Sequence, residues 1–432
     1  MYGLYTLLAL AAVALVFAPL VLLKRVAHGV PLRVRERLGG GGRPAAGGPC
    51  GWIHAVSVGE AITAAALVER IHHAHPALPL VVSTVTETGA RVVCERLAGI
   101  ATHRFFPVDL PCSVRRVVAE IDPAFLICME TELWPNLLRV LRARGVPVMI
   151  ANGRISDRSF GRYRLVRPFL RRVLADVSVL AMRSDEDARR IIALGASPER
   201  VFVTGNLKIE GGSDPAGAAD LWHRLLGLRP GRRVWIAGST HRGEEEAVLE
   251  AHRAARAEHT GLVLVVAPRH PERVAEILKL AVARGWRAVR RSDLPRQRSV
   301  GEDAIIVLDT VGELAQLYGI ADVVFVGGSL VPAGGHNMLE PALRRKPVLF
   351  GPHTENFREA AALLESSGGA LVVRDAAGLG RELRRLLGDA ALCAKLGSAA
   401  YEALATRRGA VRETLDLVER FLYPAAAGGA RA

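Results

Sequence analysis

Residues 305–352 of this 432-residue chain read IIVLDTVGELAQLYGIADVVFVGGSLVPAGGHNMLEPALRRKPVLFGP. The short apolar runs at 305–308 and 323–326 predict buried parallel strands, because both faces of each run are apolar. Four glycines follow the second run, and glycine lets the backbone approach a ligand closely. The segment therefore predicts a strand, a glycine-rich turn and a helix that together could hold a nucleotide. A turn of the same kind without a ligand is the alternative.

Two helix starts are predicted around this turn. Asn337-Met338-Leu339-Glu340 is predicted to open the helix after the glycines, where free backbone N–H groups and the helix dipole favour an anion. Asp309 and Thr310 are predicted to cap the helix between the two strands, with Glu313 at capping-box spacing from Thr310. Glu340 would lie on the first turn, where its carboxylate can accept hydrogen bonds from ribose hydroxyls. These features favour a site for both phosphate and sugar.

Length and composition predict two globular domains. The chain is too long for one compact core, and half of its residues are apolar while 23% are charged. The net charge of +14 favours a polyanionic partner, namely nucleic acid, an anionic membrane or a phosphorylated substrate, and does not choose among them. The five cysteines include no C-x-x-C pair, and no H-E-x-x-H or Walker A motif occurs. Neither a disulfide framework nor a metal site is therefore expected.

The N-terminal segment predicts a membrane anchor. Residues 2–23 contain no charged side chain, and Lys24 and Arg25 follow directly. A helix of that length would span roughly 33 Å, enough for a bilayer core of about 30 Å. Basic residues after the apolar run predict that the rest of the chain faces the cytoplasm, and they disfavour a cleaved signal peptide. A helix lying on the membrane surface is the alternative, and the absence of a polar face disfavours it.

Beyond the anchor the chain alternates predicted strands and helices in two successive sets. The predicted strands are 52–56, 80–85, 125–129, 146–151, 177–181, 201–204, 234–237, 262–267, 305–308, 323–326, 348–350 and 370–373. This α/β pattern predicts two Rossmann-like doubly wound domains that face each other across a cleft. The predicted divisions are an anchor (1–24), a basic segment and Gly/Pro linker (25–50), a first domain (51–212), an interdomain linker (213–230) and a second domain with closing helices (231–432).

Charged side chains follow several predicted strands of the first domain, at the sheet edge where ligands bind in open α/β sheets. Glu60 comes directly after the turn at 57–59, and Glu130 and Glu132 follow a later strand. Lys208 follows another strand, where it can reach an anion as a point charge. Carboxylates are costly to bury and usually face a site. Glu60 also has a purely structural interpretation, as a first-turn acid that complements the helix dipole.

Two further patterns bear on the reaction. AVSVG at 55–59 resembles a G-x-S-x-G nucleophile elbow with alanine in the first place, so a serine hydrolase is an alternative that needs an acid and a histidine downstream. In the second domain, Pro268 and Arg269 follow an apolar strand, and Ser239 follows another. Arg269 is placed to pair with a phosphate through two parallel hydrogen bonds.

Several motifs, in order along the chain, closely resemble those of the bacterial 3-deoxy-D-manno-octulosonic acid (Kdo) transferases of lipopolysaccharide assembly. They are VSVGE at 56–60, METELWPN at 129–136, GNLK at 205–208, GSTHRGEE at 238–245, PRHPER at 268–273, GELAQLYGIAD at 312–322, GGSLVPAGGHNMLEPA at 327–342 and GPHTENF at 351–357. The resemblance covers nearly the whole chain. Asn206 and Met338 depart from it, where some members have serine and many have proline, and neither change removes a charged group.

The resemblance implies a GT-B glycosyltransferase fold and an inverting, metal-independent transfer of Kdo from CMP-Kdo to a lipid A precursor, lipid IVA, without a cofactor. It implies that Glu60 is the general base and that Glu130 and Lys208 are transition-state stabilisers. The implied donor-binding residues are Pro268, Arg269, Val311, Gly312, Glu313, Asn337, Met338, Leu339 and Glu340. Residues expected to line the site on the acceptor side are Ser57, Gly59, Glu132 and Ser239.

The implied partners are CMP-Kdo, the acceptor glycolipid and the cytoplasmic leaflet of the bacterial inner membrane, with no nucleic acid. Two other functions stay open besides the serine hydrolase. One is a related GT-B transferase that uses a UDP-sugar, and the other is a membrane-anchored binding protein without turnover. The charged positions that match the family motifs favour the Kdo transferase.

Overall fold

The structure, a computed structural model, describes residues 1–12, 15, 33–42, 49–209, 218–228, 231–296, 304–405 and 407–423. The described part of the chain divides into two compact units. The first unit contains the described residues of Met1–Gly211 together with the segment that begins at Arg408, and the second contains those of Gly212–Arg407. Each unit has one seven-stranded sheet, and the predicted pair of parallel-sheet α/β domains is confirmed.

The first unit is built on a parallel sheet of order β3-β2-β1-β4-β5-β6-β7. Its strands are β1 (Cys50–His54), β2 (Leu80–Thr84), β3 (Ala101–Phe105), β4 (Pro123–Met129), β5 (Val148–Gly153), β6 (Val179–Met182) and β7 (Val201–Val203). Its helices are Tyr2–Ala12, Val34–Arg37, Val58–Ala74, Glu87–Arg96, Pro111–Ile121, Pro135–Ala143, Asp157–Leu165, Arg167–Leu174, Asp185–Ala193 and Ala410–Leu417. The strand order reverses between β1 and β4, which leaves a crevice at their carboxyl ends.

Both faces of this first sheet are buried, as its continuous apolar strands predict. Trp52 and Leu126 are paired across β1 and β4 and pack into one core, whereas Ile53 and Ile127, the next pair, pack into the other. Successive side chains of a strand point to opposite faces, so a run that is apolar at every position serves two layers. Helices cover both layers, which leaves the ends of the strands as the place for polar side chains.

The second unit is built on a parallel sheet of order β10-β11-β9-β8-β12-β13-β14. Its strands are β8 (Val234–Thr240), β9 (Val263–Pro268), β10 (Arg287–Arg290), β11 (Ala304–Val307), β12 (Val323–Val326), β13 (Val348–Phe350) and β14 (Ala370–Val372). Its helices are Ala218–Leu225, Glu245–Arg256, Val274–Ala283, Leu314–Leu317, Leu339–Leu343, Arg358–Ser366, Ala376–Gly388 and Ala390–Ala405. Here the order reverses between β8 and β12, so a second crevice is expected at their carboxyl ends.

The closing helix differs from the prediction, which placed all of residues 231–432 in the second domain. From Arg408 onward the described chain belongs to the first unit. Helix Ala410–Leu417 and the helical turn Val418–Leu422 bury Val411 and Leu417, among others, in the same core as Ile53. The sequence shows an amphipathic helix at this position, but its periodicity does not say which of two sheets the apolar face will cover.

The beginning of the predicted anchor is a helix that belongs to the first unit and contacts the rest of it. Among the described residues, no helix is both long and apolar enough to cross a membrane. Helix Tyr2–Ala12 is the described part of the prediction for residues 1–24, and the remainder, apart from residue 15, lies outside the described residues. Three hydroxyl groups of this helix donate hydrogen bonds to side chains elsewhere in the first unit. They are Tyr2 to Asp176 (2.8 Å), Tyr5 to Asp109 (2.8 Å) and Thr6 to Asn136 (3.1 Å).

Candidate active site

Glu60 lies in the first turn of helix Val58–Ala74, just beyond the carboxyl end of β1. Ser57 caps this helix, and its Oγ accepts a hydrogen bond from the Glu60 N–H (3.4 Å) and donates to Glu60 Oε1 (3.0 Å). The Val56 N–H donates to Glu60 Oε2 at 2.8 Å. This arrangement is a variant of the S-x-x-E capping box. It fixes the carboxylate with one donor on each oxygen, and each oxygen keeps a lone pair for another donor.

The Ser57 hydroxyl therefore serves as a helix cap that orients Glu60. The structural interpretation of Glu60, as an acid at a helix start, also holds, since the carboxylate takes part in the cap. Capping does not exclude chemistry, because the carboxyl group is unusually easy to protonate. Burial raises the pKa of Glu60 to about 7, and the charges of Glu130 and Glu132 add to the effect of burial. A carboxyl group with such a pKa can accept a proton near neutral pH.

The pKa of Glu130 is shifted in the opposite direction to that of Glu60. It follows β4, the neighbour of β1, with a left-handed backbone (φ 55°), and its Oε1 accepts a 2.7 Å hydrogen bond from Lys208 Nζ. Burial alone would raise the pKa of Glu130, but the charge and hydrogen bond of Lys208, with the charges of Arg183 and Arg154, bring the pKa below its ordinary value. Two nearby carboxyl groups thus have pKa values shifted in opposite directions, as in acid–base sites generally.

Glu132 is the third acid of this group. Burial, and then the negative charge of Glu130, raise the pKa of Glu132. The structure therefore brings together four of the residues predicted from the sequence in this unit, namely Glu60, Glu130, Glu132 and Lys208. Gly59 lies in the first turn beside Glu60, where a side chain in its place would meet nothing within 4 Å.

Two asparagines position Lys208, and neither of them was predicted to have a role. Asn152 is fully buried at the end of β5 with φ 57°, and its Oδ1 accepts a hydrogen bond from the Leu207 N–H (3.1 Å). Asn206 Oδ1 accepts a hydrogen bond from the Lys208 N–H (3.1 Å). These bonds fix the short turn Leu207–Ile209, which carries the lysine. Asn206, a departure from the family pattern, therefore keeps a positioning role.

Arg154 and Arg183 are also members of the site, and neither of them was predicted to have a role in it. Arg154 follows β5 and Arg183 follows β6, so both lie at the same sheet edge as Glu130. Their charges help to keep Glu130 ionised. Their positions directly after apolar strands were the available signal, but arginine is so frequent in this chain that the signal is weak.

In the second unit a buried carboxylate organises the glycine-rich turn. Glu244 is fully buried, and four backbone N–H groups donate to it. Oε2 accepts from His241 (2.8 Å) and Gly328 (2.7 Å), and Oε1 accepts from Ser329 (3.0 Å) and Leu330 (2.9 Å). The turn after β8 is thereby joined to the turn after β12. Glu244 lies in the motif at 238–245, and no role was predicted for it.

Glycine is required where these two turns approach. A Cβ atom at Gly327 would lie 2.7 Å from Ser239 O and from Thr240 Cα. Ser239 itself has a left-handed backbone, with φ 58°. Arg269 follows β9, and its N–H donates to Thr240 O at 3.0 Å, so the arginine begins next to the same turn. Ser239, Arg269 and the glycine-rich turn are thus brought together.

The helix starts differ from those predicted. The helix after the glycines is Leu339–Leu343, two residues later than predicted, and Asn337 precedes it. Asn337 Oδ1 accepts from the Leu339 N–H (3.2 Å), and Asn337 Nδ2 donates to Glu340 Oε1 (2.9 Å). The side chains of Met338 and Leu339 are buried, so these two residues can offer a ligand only their backbone.

The predicted capping box between β11 and β12 is also displaced. The helix is Leu314–Leu317, rather than one that starts at Val311, because Gly312 has φ 92° and breaks the helical path. The Thr310 hydroxyl donates to Glu313, whose Oε1 accepts from Arg291 Nη2 at 2.9 Å. Both helices in this region have only four or five residues. Their dipoles are therefore small. The positive potential needed to bind an anionic ligand here would have to come from side chains and loop N–H groups.

Comparisons with known proteins agree with the fold of two parallel-sheet α/β domains. A glycosyltransferase from Rickettsia africae has the same two-domain fold, with a TM-score of 0.57 at 11% identity, covering 87% of this chain and all of that chain. At such low identity the likeness shows the fold alone, which is that of two parallel-sheet α/β domains similar to the GT-B glycosyltransferases. Residues 32–210 match the family model of 3-deoxy-D-manno-octulosonic-acid transferase (kdotransferase).

Two relatives identify the family. The chain is 38% identical to the 3-deoxy-D-manno-octulosonic acid transferase of Haemophilus influenzae, over 90% of this chain and 91% of that protein. It is 36% identical to the protein of the same name from Bordetella pertussis, over 86% of this chain and 87% of that protein. The chain belongs to the Kdo transferase family, and it is a glycosyltransferase.

The state of Glu60 leads to a prediction about turnover. Because only the ionised carboxylate can accept a proton, kcat/KM should rise with pH through about 7. Glu60→Gln should lower kcat by about 10²–10⁴-fold, the usual contribution of a general base. Steady-state kinetics between pH 5.5 and pH 9 measures both effects. Glu87→Gln, which changes the first-turn acid of helix Glu87–Arg96, is the matched control and should keep near-normal turnover.

Stability separates this role from capping alone. The pKa of Glu60 is raised above its ordinary value of 4.5, so the folded state loses stability as pH rises from that value through about 7. Glu60→Gln should therefore not lower the melting temperature at pH 8. A lower melting temperature with near-normal turnover would make Glu60 a helix cap only, and would move the base to Glu132 or Glu130.

Proposed function

We propose that this enzyme transfers Kdo from CMP-Kdo to a lipid A precursor, lipid IVA, in lipopolysaccharide biosynthesis. Membership of the family indicates that Kdo is the transferred sugar, and the acceptor is part of the proposal. The observation that carries the proposal is the pair Glu60 and Glu130, two neighbouring carboxyl groups of opposite protonation tendency. A sugar hydroxyl acceptor requires such a base, because its own pKa is far above neutral.

In the proposed reaction Glu60 removes the proton of the acceptor hydroxyl. The hydroxyl oxygen forms a bond to the anomeric carbon of Kdo while the bond from that carbon to the CMP phosphate breaks. CMP leaves with the electron pair, the proton remains on Glu60, and the anomeric configuration inverts. Val56 N–H and Ser57 Oγ hold the Glu60 carboxylate in one orientation throughout, which favours one acceptor position.

Glu130 and Lys208 are proposed to stabilise the transition state. Positive charge develops at the anomeric carbon of a sugar during displacement, as in other oxocarbenium-like transition states. An ionised Glu130 can stabilise that charge, and Lys208, 2.7 Å away, keeps the carboxylate ionised. Ser57, Gly59 and Glu132 are proposed to line the acceptor side of the site.

The second unit is proposed to bind the donor. Arg269 would pair with the CMP phosphate, and Glu340, held by Asn337, would accept hydrogen bonds from the ribose hydroxyls. Pro268, Val311, Gly312, Glu313, Met338 and Leu339 would contribute backbone and shape. A nucleoside monophosphate is already a good leaving group, so the proposed reaction uses no metal ion and no cofactor. Charged side chains can stabilise the negative charge on the departing CMP phosphate, whereas a diphosphate leaving group would require a metal ion.

Product analysis tests this function. Incubation of the enzyme with CMP-Kdo and lipid IVA, in the presence of EDTA, should give products heavier by one or more Kdo residues by mass spectrometry. Arg269→Ala and Glu340→Ala should weaken CMP binding by about tenfold to a hundredfold, because each removes a charge-assisted hydrogen bond. Calorimetric titration with CMP measures that loss.

Glu359→Ala is the matched control for the donor variants, because it removes an exposed first-turn acid of helix Arg358–Ser366 in the same unit. Transfer from a UDP-sugar in place of CMP-Kdo would contradict the proposed donor. Unchanged CMP affinity in both Arg269→Ala and Glu340→Ala would place the nucleotide elsewhere.

We further propose that the N-terminal helix attaches the enzyme to the cytoplasmic leaflet of the inner membrane. The face of helix Tyr2–Ala12 that contacts the rest of the first unit carries hydroxyl groups, and the other face exposes leucines. The exposed leucines are Leu4, Leu7, Leu8 and Leu10. Arg139, Arg142 and Arg172 line a concave surface beside Tyr2. Exposed leucines next to arginines suit the boundary between acyl chains and anionic headgroups.

A triple variant tests this attachment without disturbing the contacts of the helix. Leu4→Ser, Leu7→Ser and Leu8→Ser together should lower binding to vesicles that contain anionic phospholipid by at least tenfold, since each leucine loses apolar burial. Co-sedimentation with vesicles measures the binding. Tyr5→Phe is the control, because it removes the bond to Asp109 on the opposite face and should leave vesicle binding unchanged. Equal binding of the triple variant and the wild type would contradict the proposal.

A further inference from the structure

Two histidines form a hydrogen-bonded pair in the second unit. His241 follows β8, and His336 lies in the glycine-rich segment between β12 and helix Leu339–Leu343. Their Nε2 atoms are 2.7 Å apart, the ring centroids are 5.0 Å apart, and the ring planes differ by 10°. The rings therefore meet end to end in nearly one plane, and one proton lies between the two nitrogens.

The backbone leaves space for this pair. Gly328 has φ 68°, and a Cβ atom there would lie 2.8 Å from His336 Cδ2 and 3.4 Å from His241 Cδ2. The Gly328 N–H is also held by Glu244, which accepts the His241 N–H with the same oxygen. One buried carboxylate thus fixes the backbone of one histidine and the glycine that packs against both rings.

The charged groups around the pair have both signs. The groups that act on it are Arg269, His270, Arg273, Glu244 and Glu245. Glu244 is occupied by four backbone N–H groups, and Glu245 accepts a 2.7 Å hydrogen bond from Arg273. Burial, and then the charge of Arg269, lower the pKa of His336 to about 4. Burial also lowers the pKa of His241, and the opposing charge of Glu244 does not reverse that direction. The pair is therefore neutral at pH 7 without a ligand.

We propose that the His241–His336 pair, together with Arg269, binds an anionic oxygen group of the donor and takes up one proton as it does so. This inference rests on the proposed binding of the donor in the second unit. In the neutral pair one ring donates through Nε2–H and has a lone pair on Nδ1, while the other carries its proton on Nδ1. A proton added to the open Nδ1 gives an imidazolium bonded to an imidazole, with an N–H donor at both outer nitrogens.

An anion makes that protonation favourable. It offsets the repulsion from Arg269 and the cost of burying a charge, and it gains charge-assisted hydrogen bonds. Binding and proton uptake are reciprocal, so the anion should bind more tightly as pH falls. With one proton involved, the affinity can change by up to about tenfold per pH unit.

Two parts of the donor carry such a group, the phosphate of CMP and the carboxylate of Kdo. Calorimetric titration at pH 7.5 in PIPES and in Tris, which have different heats of ionisation, gives the number of protons taken up on binding. The titration is done with CMP alone, and with Kdo added to protein saturated with CMP. Uptake with CMP assigns the phosphate, and uptake only in the second titration assigns the carboxylate.

The comparison with variants isolates the contribution of the pair from that of the phosphate itself. His241→Gln and His336→Gln keep an amide at the position of Nε2 but cannot be protonated. Each should abolish the uptake, of up to one proton, and weaken anion binding at pH 6 by roughly tenfold to a hundredfold. His223→Gln is the control, because this half-buried histidine bonds to its own helix at Ala219 O.

Proton uptake that is the same in wild type and in both pair variants, with either ligand, would overturn the proposal. Thermal unfolding of each variant, and a CMP titration at pH 8.5, show whether the site is still folded. Absence of CMP binding to the wild type would overturn the donor assignment and this proposal together. CMP binding without a difference in proton uptake would overturn this proposal alone.

Discussion

The ion pair between Lys208 and Glu130 is the interaction on which the charged cluster of the first unit depends. A half-buried carboxyl group among other acids would ordinarily be protonated, and Lys208 keeps this one ionised. The resulting negative charge adds to the effect of burial on Glu60 and brings its pKa to about 7. Without the lysine, burial would raise the pKa of Glu130 as it raises that of Glu60. The two carboxyl groups would then no longer differ in protonation, as the proposed reaction requires.

The fold provides this pair by placing polar residues where parallel strands end. Glu130, Asn152 and Ser239 each follow or end a strand with a left-handed backbone, a conformation that is costly outside glycine and is concentrated at functional sites. In the first unit these residues aim or support the charged cluster. In the second unit Glu244 has a comparable organising role, because it binds the backbone of two turns and leaves the histidines and Arg269 beside them.

Most of the fold could be predicted from the sequence because central parallel strands are apolar on both faces. The two strands that were missed, β3 (ATHRF) and β10 (RAVR), lie at sheet edges, where one side is exposed and the apolar run is interrupted. The acids and the lysine of the first unit were found from their positions after strands. Glu244 and the histidine pair were not, because their partners are backbone groups and rings far away in the chain. A capping box was predicted at Thr310, but the left-handed backbone of Gly312 moves the start of that helix to a later residue. A capping-box arrangement is found instead at Ser57 and Glu60.

The most direct test of the central claim is the titration of the Glu60 carboxyl group itself. The protein can be labelled with glutamate carrying ¹³C at the carboxyl carbon, and Glu60→Gln identifies the resonance. Glu60 should titrate near pH 7 in the wild type and at lower pH in Glu130→Gln, because one of the neighbouring negative charges is then absent. A midpoint near 4.5 in the wild type, or the same midpoint in both proteins, would contradict the account.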